Sequence, residues 1–110
     1  EIANLFVDAG IVTLASFVSP YSKDRQDVRN KVGPKNYIEV FVNTSLDECE
    51  RRDTKGLYKK ARDGEIKNMT GISAPYETPQ NPDIEIDTVK ESIDDSLDKI
   101  FKFLENRLYG

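Results

Sequence analysis

Residues 11–42 read IVTLASFVSPYSKDRQDVRNKVGPKNYIEVFV and carry the strongest signal for the fold. The segment 11–17 is apolar and β-branched without clean alternation, which is typical of a strand buried on both faces of a parallel sheet. A helix is predicted from Ser22, as its cap, to about residue 31, before Gly33-Pro34. A second strand is predicted over residues 37–42, so the order of strand, helix and strand indicates an α/β fold with a parallel sheet.

Helical patterns lie on both sides of this stretch. Apolar side chains at residues 2, 5 and 6 have helical spacing, and Gly10 is a predicted stop. Ser45 and Glu48 form a predicted capping box for a short helix. Residues 55–62 are basic and strongly helical in composition, and Gly64 is expected to end that helix.

The last third of the chain is predicted to contain a loop, a strand and a long helix. Residues 68–82 are rich in glycine, proline and short polar residues, which predicts an ordered loop or a lid over a ligand. Residues 84–86 predict a short strand, and Thr88 with Glu91 predicts a capping box for a helix over about 89–108. Its apolar stripe consists of Ile93, Leu97, Ile100, Leu104 and Leu108.

Length and composition are those of an ordinary globular protein. The 110 residues are 37% hydrophobic and 33% charged, which suits one α/β domain or part of one. A formal net charge of -4 argues against binding of duplex nucleic acid, since such surfaces normally carry a basic excess. Basic residues are nevertheless concentrated between Arg51 and Lys67, so this region could bind a small anionic ligand.

Residue types exclude several classes of site. The sequence contains no histidine, which excludes Ser-His-Asp and Cys-His catalysis and zinc sites built on imidazole. Cys49 is the only cysteine and cannot form an intrachain disulfide. No apolar run approaches the length of a membrane span or a secretory signal, so a reducing, cytoplasmic location is the expectation.

Several segments have a composition and order specific enough to indicate a family. They are FVSPY (17–21), DR (24–25), IEVFV (38–42), KGLYKKAR (55–62), GEIK (64–67), TGI (70–72) and YExP (76–79). In this order and spacing the chain resembles adenylylsulfate kinases (APS kinases) over essentially its whole length. The resemblance implies a parallel-sheet P-loop kinase fold with three α/β/α layers. Residues 1–110 would form the C-terminal part of a single kinase domain, with a lid over about 52–82.

The resemblance also implies a reaction. The family transfers a phosphoryl group from ATP, with Mg²⁺, to the 3′-hydroxyl of adenosine 5′-phosphosulfate (APS). Such enzymes usually act as homodimers, and a fused or associated ATP sulfurylase is a candidate partner. A phosphate-binding loop of the form Gly-x-x-Gly-x-Gly-Lys-Ser/Thr occurs nowhere in the sequence and would precede Glu1. The loop and the Mg²⁺ ligands are therefore expected in a missing N-terminal half, and this chain alone is expected to be inactive.

Contacts to APS are implied at two groups of positions. The resemblance assigns them to Val18, Ser19, Pro20, Lys55, Leu57, Asn68, Met69 and Thr70. Ser19 and Lys55 are the catalytic candidates, since the Lys55 ammonium can follow charge that builds on the transferred phosphoryl group. Ser19 could instead only shape the turn before Pro20. Met69 stands where the family usually has phenylalanine, so APS affinity could be weaker or selectivity altered.

Contacts to ATP are implied at Arg52, Pro79 and Thr88. The planar guanidinium of Arg52 can stack on the adenine, with Pro79 on the other side and Thr88 near the base. An ordinary surface ion pair of Arg52, for example with Asp53, is the alternative, and capping alone could explain Thr88. No metal ligand is assigned to these residues.

Two other functions remain open from the sequence. A related P-loop nucleotide kinase could share this lid and use another acceptor. The chain could also be a non-catalytic fragment that serves as a binding or dimerisation module. A solvated helix face is the preferred interpretation for the cluster of Lys59, Lys60 and Arg62.

Overall fold

Residues 1–109 form five α-helices and two strands, with two α-helices before each strand. The structure is a computed structural model, and it describes residues 1–109. Its elements are α1 (Ile2–Asp8), α2 (Ser22–Val32), β1 (Val40–Asn43), α3 (Leu46–Arg51), α4 (Leu57–Arg62), β2 (Ile84–Asp87) and α5 (Ile93–Tyr109). A single 3-10 turn, Pro34–Asn36, lies between α2 and β1.

The strands β1 and β2 pair in parallel, which confirms the predicted sheet type. Val40 lies opposite Ile84, and the register continues to Asn43 opposite Asp87. β1 begins three residues later than predicted, because the amide of Glu39 donates to the Asp83 carboxylate at 2.7 Å instead of to a neighbouring strand. The helices α3 and α4 and the following loop make the crossover between the two strands.

The predicted strand over residues 11–17 is wrong, since this segment has no regular secondary structure. Its apolar side chains are exposed: 89% of Leu14 and 83% of Phe17 are accessible to solvent. A strand forms only where a neighbour takes up its backbone hydrogen bonds. Within residues 1–109 the sheet contains only β1 and β2, and neither pairs with this segment.

The core is small and lies against β2. Ile84 and Ile86 are buried on one side of the strand, Glu85 between them is exposed, and Ala61 of α4 is also buried. α5 packs against β2, where the Lys99 ammonium donates to the Glu85 carbonyl at 2.9 Å. The radius of gyration is 16.0 Å, whereas a compact domain of this length has about 13 Å. Much apolar surface of the described residues therefore remains uncovered.

Helix starts are predicted correctly in one case out of the three proposed caps. The Ser45 hydroxyl accepts from the Glu48 amide at 3.2 Å and caps α3. Ser22 is the first residue of α2, and Tyr21 occupies the cap position. The Thr88 cap is wrong: α5 begins at Ile93 and not at residue 89.

The start of α5 has a local reason. The Ser92 hydroxyl accepts from the Asp95 amide at 3.1 Å and takes the capping role. The Thr88 hydroxyl is instead 2.5 Å from the Thr44 hydroxyl. That hydrogen bond ties Thr88 to the end of β1, so its hydroxyl is not available to cap α5.

Candidate functional site

An exposed turn follows the first apolar segment, at the predicted position of an anion contact. Ser19 has a φ of 41°, a left-handed conformation that costs a non-glycine residue roughly 1–2 kcal/mol. Two hydrogen bonds hold the turn: Arg25 Nη1 donates to the Ser19 carbonyl at 2.6 Å, and the amide of the distant Glu77 donates to the Pro20 carbonyl at 2.8 Å. The turn is therefore fixed by residues of α2 and of the loop over residues 68–82.

Arg25 is the centre of this arrangement. Its Nη2 donates to the Ser22 hydroxyl at 3.1 Å and to the Glu77 carbonyl at 2.5 Å, and its Nε lies 3.6 Å from the Glu39 carboxylate. The guanidinium also lies over the Tyr76 ring, 5.7 Å from its centroid. Only 10% of the side chain is exposed. Sequence reasoning assigned Arg25 no site role, because these partners meet only in the fold.

A cavity of about 680 Å³ lies beside the turn. Its lining includes Val18, Ser19, Arg25, Phe41, Tyr76 and Pro79. Two of the predicted APS contacts, Val18 and Ser19, thus meet at one cavity. Pro79, a predicted ATP contact, lines the same cavity and not the one that Arg52 lines.

A second, more open cavity of about 310 Å³ lies at the start of α4. It brings together the predicted residues Arg52, Lys55 and Leu57, with Thr44 and Tyr58 also in its wall. Lys55 is exposed, and within residues 1–109 its ammonium makes no hydrogen bond or ion pair. Its positive charge is therefore available to an anionic ligand in this cavity.

Arg52 and Thr88, both predicted at the ATP site, are in contact. Arg52 Nη2 donates to the Thr88 carbonyl at 3.1 Å and Nη1 to its hydroxyl at 3.3 Å. Arg52 Nε donates to the Glu48 carboxylate at 2.6 Å. The alternative of a surface ion pair thus holds for Arg52, with Glu48 and not with Asp53. The Asp53 carboxylate instead accepts from the amides of Leu57 and Lys59, at 2.9 and 3.1 Å, at the start of α4.

Residues 68–74 form a tight turn that positions the remaining predicted APS contacts. Asn68 has a φ of 57°, and the Met69 carbonyl accepts from the amides of residues 72–74. Thr70 pairs with Ala74 in an isolated parallel bridge. A Cβ on Gly71, whose φ is 87°, would lie 3.3 Å from Leu46 Cδ1, so the turn packs closely on α3. Asn68, Met69 and Thr70 line neither cavity.

Comparison with known proteins places the chain in a family. A family model described as adenylylsulphate kinase matches residues 1–87. The chain belongs to the adenylylsulfate kinase family. Adenylyl-sulfate kinases of Staphylococcus epidermidis and Oceanobacillus iheyensis are 50% and 52% identical over 109 residues, which is 99% of this chain and 55% of each relative. The chain thus spans about half the length of these curated relatives.

Solved structures agree with that family. The APS kinase of Mycobacterium tuberculosis, in complex with AMPPNP and APS, superposes with a TM-score of 0.85 at 40% sequence identity. The superposition covers 94% of this chain and 61% of that one. The chain accordingly has the α/β P-loop kinase fold with a parallel sheet, as the sequence predicts.

The Mg²⁺ that adenylylsulfate kinases are expected to use finds no ligand set among the described residues. Within residues 1–109, no group of three or more cysteine, aspartate and glutamate side chains is placed to hold a metal ion. The acidic side chains that line the cavities have other partners: Asp53 accepts from amides of α4, Glu39 lies 3.6 Å from Arg25 Nε, and Glu1 pairs with Lys31. These residues therefore supply no metal site for the reaction.

No helix in the described residues is long and apolar enough to cross a membrane.

Glu48 is the most perturbed carboxylate beside Arg52. Hydrogen bonds from Arg51, at 2.5 Å, and from Arg52 lower the pKa of Glu48 from 4.5 to about 2. The pKa of Glu48 in the folded protein lies below its unfolded value. The hydrogen bonds of Glu48 to the two arginines therefore contribute stability above about pH 4.3, and this contribution is lost as pH falls towards 2. The ion pairs thereby make the fold around Arg52 sensitive to acid.

We expect Glu48→Gln to weaken the dependence of stability on pH between about pH 5 and pH 2. Urea unfolding of the full-length protein at several pH values measures the effect. Glu65→Gln is the matched control, since the exposed Glu65 side chain makes no hydrogen bond or ion pair within residues 1–109. Equal slopes for Glu48→Gln and wild type would contradict the assigned role of Glu48.

Proposed function

We propose that the protein carrying this chain phosphorylates the 3′-hydroxyl of adenosine 5′-phosphosulfate with ATP, giving 3′-phosphoadenosine 5′-phosphosulfate for sulfate activation. The observation that carries the proposal is the identity of about half of the chain to adenylyl-sulfate kinases over 109 residues. The hydroxyl oxygen bonds to the γ-phosphorus of ATP while the bond from that phosphorus to the bridging oxygen breaks. ADP leaves, and the hydroxyl proton passes to a base.

APS binding is proposed at the turn Val18–Pro20 and along the lid. The turn is exposed and held in a fixed conformation by Arg25 and Glu77, which suits a preorganised contact to an anionic ligand. Lys55 would neutralise charge on the transferred phosphoryl group. The other proposed contacts to APS are Leu57, Asn68, Met69 and Thr70.

ATP binding is proposed at Arg52 and Thr88. The hydrogen bonds of a guanidinium lie in its plane, so the contacts of Arg52 to Glu48 and Thr88 do not use its faces, and 45% of the side chain is exposed. A face of a fixed guanidinium is suited to stacking on adenine. Pro79 has the least support from geometry among the proposed ATP contacts, because it lines the cavity beside Ser19.

The phosphate-binding loop, the base and the Mg²⁺ ligands are proposed to come from the part of the family fold that this chain does not cover. That part is substantial, since the superposition covers 61% of the Mycobacterium tuberculosis enzyme. The 110-residue chain alone is accordingly proposed to be inactive, because phosphoryl transfer depends on the amides and lysine of that loop.

An assay of product formation tests both the proposed activity of the full-length protein and the proposed inactivity of the 110-residue chain. The full-length protein, supplied with ATP, Mg²⁺ and APS, should form 3′-phosphoadenosine 5′-phosphosulfate and ADP in equal amounts, and the 110-residue chain should form neither. A full-length protein that hydrolyses ATP or phosphorylates AMP but leaves APS unchanged would favour a related nucleotide kinase. No activity with any acceptor would favour a binding or dimerisation module.

We expect Met69 to bind the adenine of APS somewhat more weakly than a phenylalanine would at this position. The resemblance implies a phenylalanine here, and an aromatic face on the adenine of APS is worth about 0.5–1.5 kcal/mol. Met69→Phe should therefore lower KM for APS by about 2- to 10-fold. Met69→Leu is the control for side-chain size. If both variants behave like wild type in steady-state kinetics, residue 69 does not contact the base.

A cytoplasmic homodimer is the proposed assembly. The single Cys49 suits a reducing compartment, and Phe101 and Leu108 of α5 are exposed in the described chain. An ATP sulfurylase, fused or associated, would supply the substrate. Light scattering of the full-length protein and co-purification with ATP sulfurylase would test these two proposals separately.

A further inference from the structure

We propose that Arg25 is a positioning residue that fixes the APS turn Val18–Pro20 to the end of the lid at Tyr76–Glu77. Through this link it sets the affinity for APS and not that for ATP. The inference rests on the proposed function for its substrate. The link itself is a property of the folded chain and can be measured without any substrate.

The guanidinium of Arg25 joins two segments that are distant in sequence. Nη1 donates to the Ser19 carbonyl at 2.6 Å, and Nη2 donates to the Glu77 carbonyl at 2.5 Å. Both acceptors are backbone atoms, so the contacts fix the path of the main chain itself. A planar fork of donors can reach two carbonyls at once, whereas a lysine ammonium is a single point of charge.

Glu77 supplies a second set of links between the same segments. Its amide donates to the Pro20 carbonyl at 2.8 Å, and its carboxylate accepts from the Ser22 amide at 3.0 Å. The turn, the first residue of α2 and the end of the lid are thus held together by these four hydrogen bonds of Arg25 and Glu77. Such a unit is expected to move as one body.

Arg25 lines the cavity beside the turn, but its nitrogens face protein acceptors, so it acts on the ligand through the turn. Its side chain is 10% exposed, and it is held from behind by the Glu39 carboxylate at 3.6 Å and by the Tyr76 ring. The strained conformation of Ser19, with a φ of 41°, persists only where surrounding contacts impose it. Loss of Arg25 should therefore allow the turn to relax away from the geometry that binds an anion.

The ATP contacts proposed at Arg52 and Thr88 are separate from this unit, whereas Pro79 lines the cavity beside the turn. Arg52 and Thr88 bond to each other and to Glu48, and neither shares a hydrogen bond with Arg25 or Glu77. The cavity that Arg52 lines also contains no residue of the turn. A substitution of Arg25 should therefore raise KM for APS and leave KM for ATP nearly unchanged.

The kinetic arm of the test uses the full-length protein. Arg25→Ala should raise KM for APS by about tenfold or more, because it removes charge-assisted hydrogen bonds that fix the turn, and leave KM for ATP within about twofold. Arg25→Lys should recover only part of the loss. Arg29→Ala is the matched control: Arg29 lies one turn further along α2, over the Tyr37 ring at 5.8 Å, and should leave both KM values unchanged.

The second arm follows hydrogen exchange at the amides of Ser22 and Glu77 without nucleotide. Arg25→Ala should speed exchange at Glu77 by about tenfold, since the amide loses the geometry of its bond to Pro20. Arg29→Ala should leave it unchanged. If Arg25→Ala does not fold, Arg25→Lys serves for both arms, with the same direction of change expected.

Equal exchange at Glu77 in the Arg25 and Arg29 variants would overturn the inference, whatever the kinetics. So would a parallel rise of both KM values together with a lower melting temperature, which indicates a merely structural role. A wild-type protein that does not phosphorylate APS would overturn the proposed function. In that case faster exchange in Arg25→Ala still supports the link, and unchanged exchange still refutes it.

Discussion

Replacing Lys55 with alanine in the full-length protein should lower kcat for APS phosphorylation by about 100- to 1,000-fold, the usual cost of removing one group that stabilises charge in a transition state. Lys55 is exposed at the cavity it shares with Arg52, and its ammonium has no protein partner within residues 1–109. Charge builds on the phosphoryl oxygens only during transfer, so we expect kcat to fall more than KM rises. Initial rates at varied APS and saturating ATP measure both parameters.

Lys60→Ala is the matched control for Lys55. Both lysines are exposed, but Lys60 lies within α4 and lines neither cavity. Its removal should change kcat by less than about twofold, in keeping with a surface charge screened by salt. A Lys55 variant that retains more than half of the wild-type kcat would refute a catalytic role. Equal losses for the two lysines would point to the net charge of the region instead.

The sequence predicted secondary structure correctly where the interactions that determine it are formed between residues close in sequence. The Ser45 hydroxyl reaches an amide three residues on, so its capping role could be predicted from residue types alone. β2 alternates buried isoleucines with an exposed glutamate over a few residues, and its existence was predicted correctly. The parallel pairing followed from the helical crossover between the strands.

The failures share a dependence on distant partners. Residues 11–17 have strand composition, yet no strand of the described chain pairs with them. Thr88 and Glu91 match a capping box, but the Thr88 hydroxyl bonds to Thr44, 44 residues away. Arg25 reaches Glu77 across 52 residues of sequence. No periodicity or propensity carries information about such contacts, because only the folded chain brings the partners together.

The structure groups the candidate site residues differently from the assignment that the resemblance implies. The resemblance identified Val18, Ser19 and Pro79, and the structure brings all three to one cavity. It assigned Pro79 to the ATP side, however, and the path of the loop over residues 68–82 determines where that residue lies. This loop has little regular structure, so its path depends on contacts such as that of Glu77 with Pro20.

Replacing Ile84 with alanine should lower the free energy of unfolding of the full-length protein by about 2–5 kcal/mol, the range for large-to-small changes in a core. Ile84 is 4% exposed, lies opposite Val40 in the β1–β2 register and belongs to the small buried core. Ile93→Ala is the matched control, because that isoleucine is 80% exposed at the start of α5 and its removal should cost less than about 1 kcal/mol.

Urea unfolding of both variants measures the difference, with equal m-values as the condition for comparing midpoints. Similar destabilisation by Ile84→Ala and Ile93→Ala would mean that β2 is not the centre of the core. A larger loss of stability in Ile84→Ala than in Ile93→Ala would have a functional consequence. β2 runs directly into Thr88, and Arg52 donates to both the carbonyl and the hydroxyl of Thr88. A cavity beneath β2 should therefore weaken ATP binding before it affects the turn at Ser19, which Arg25 and Glu77 hold independently.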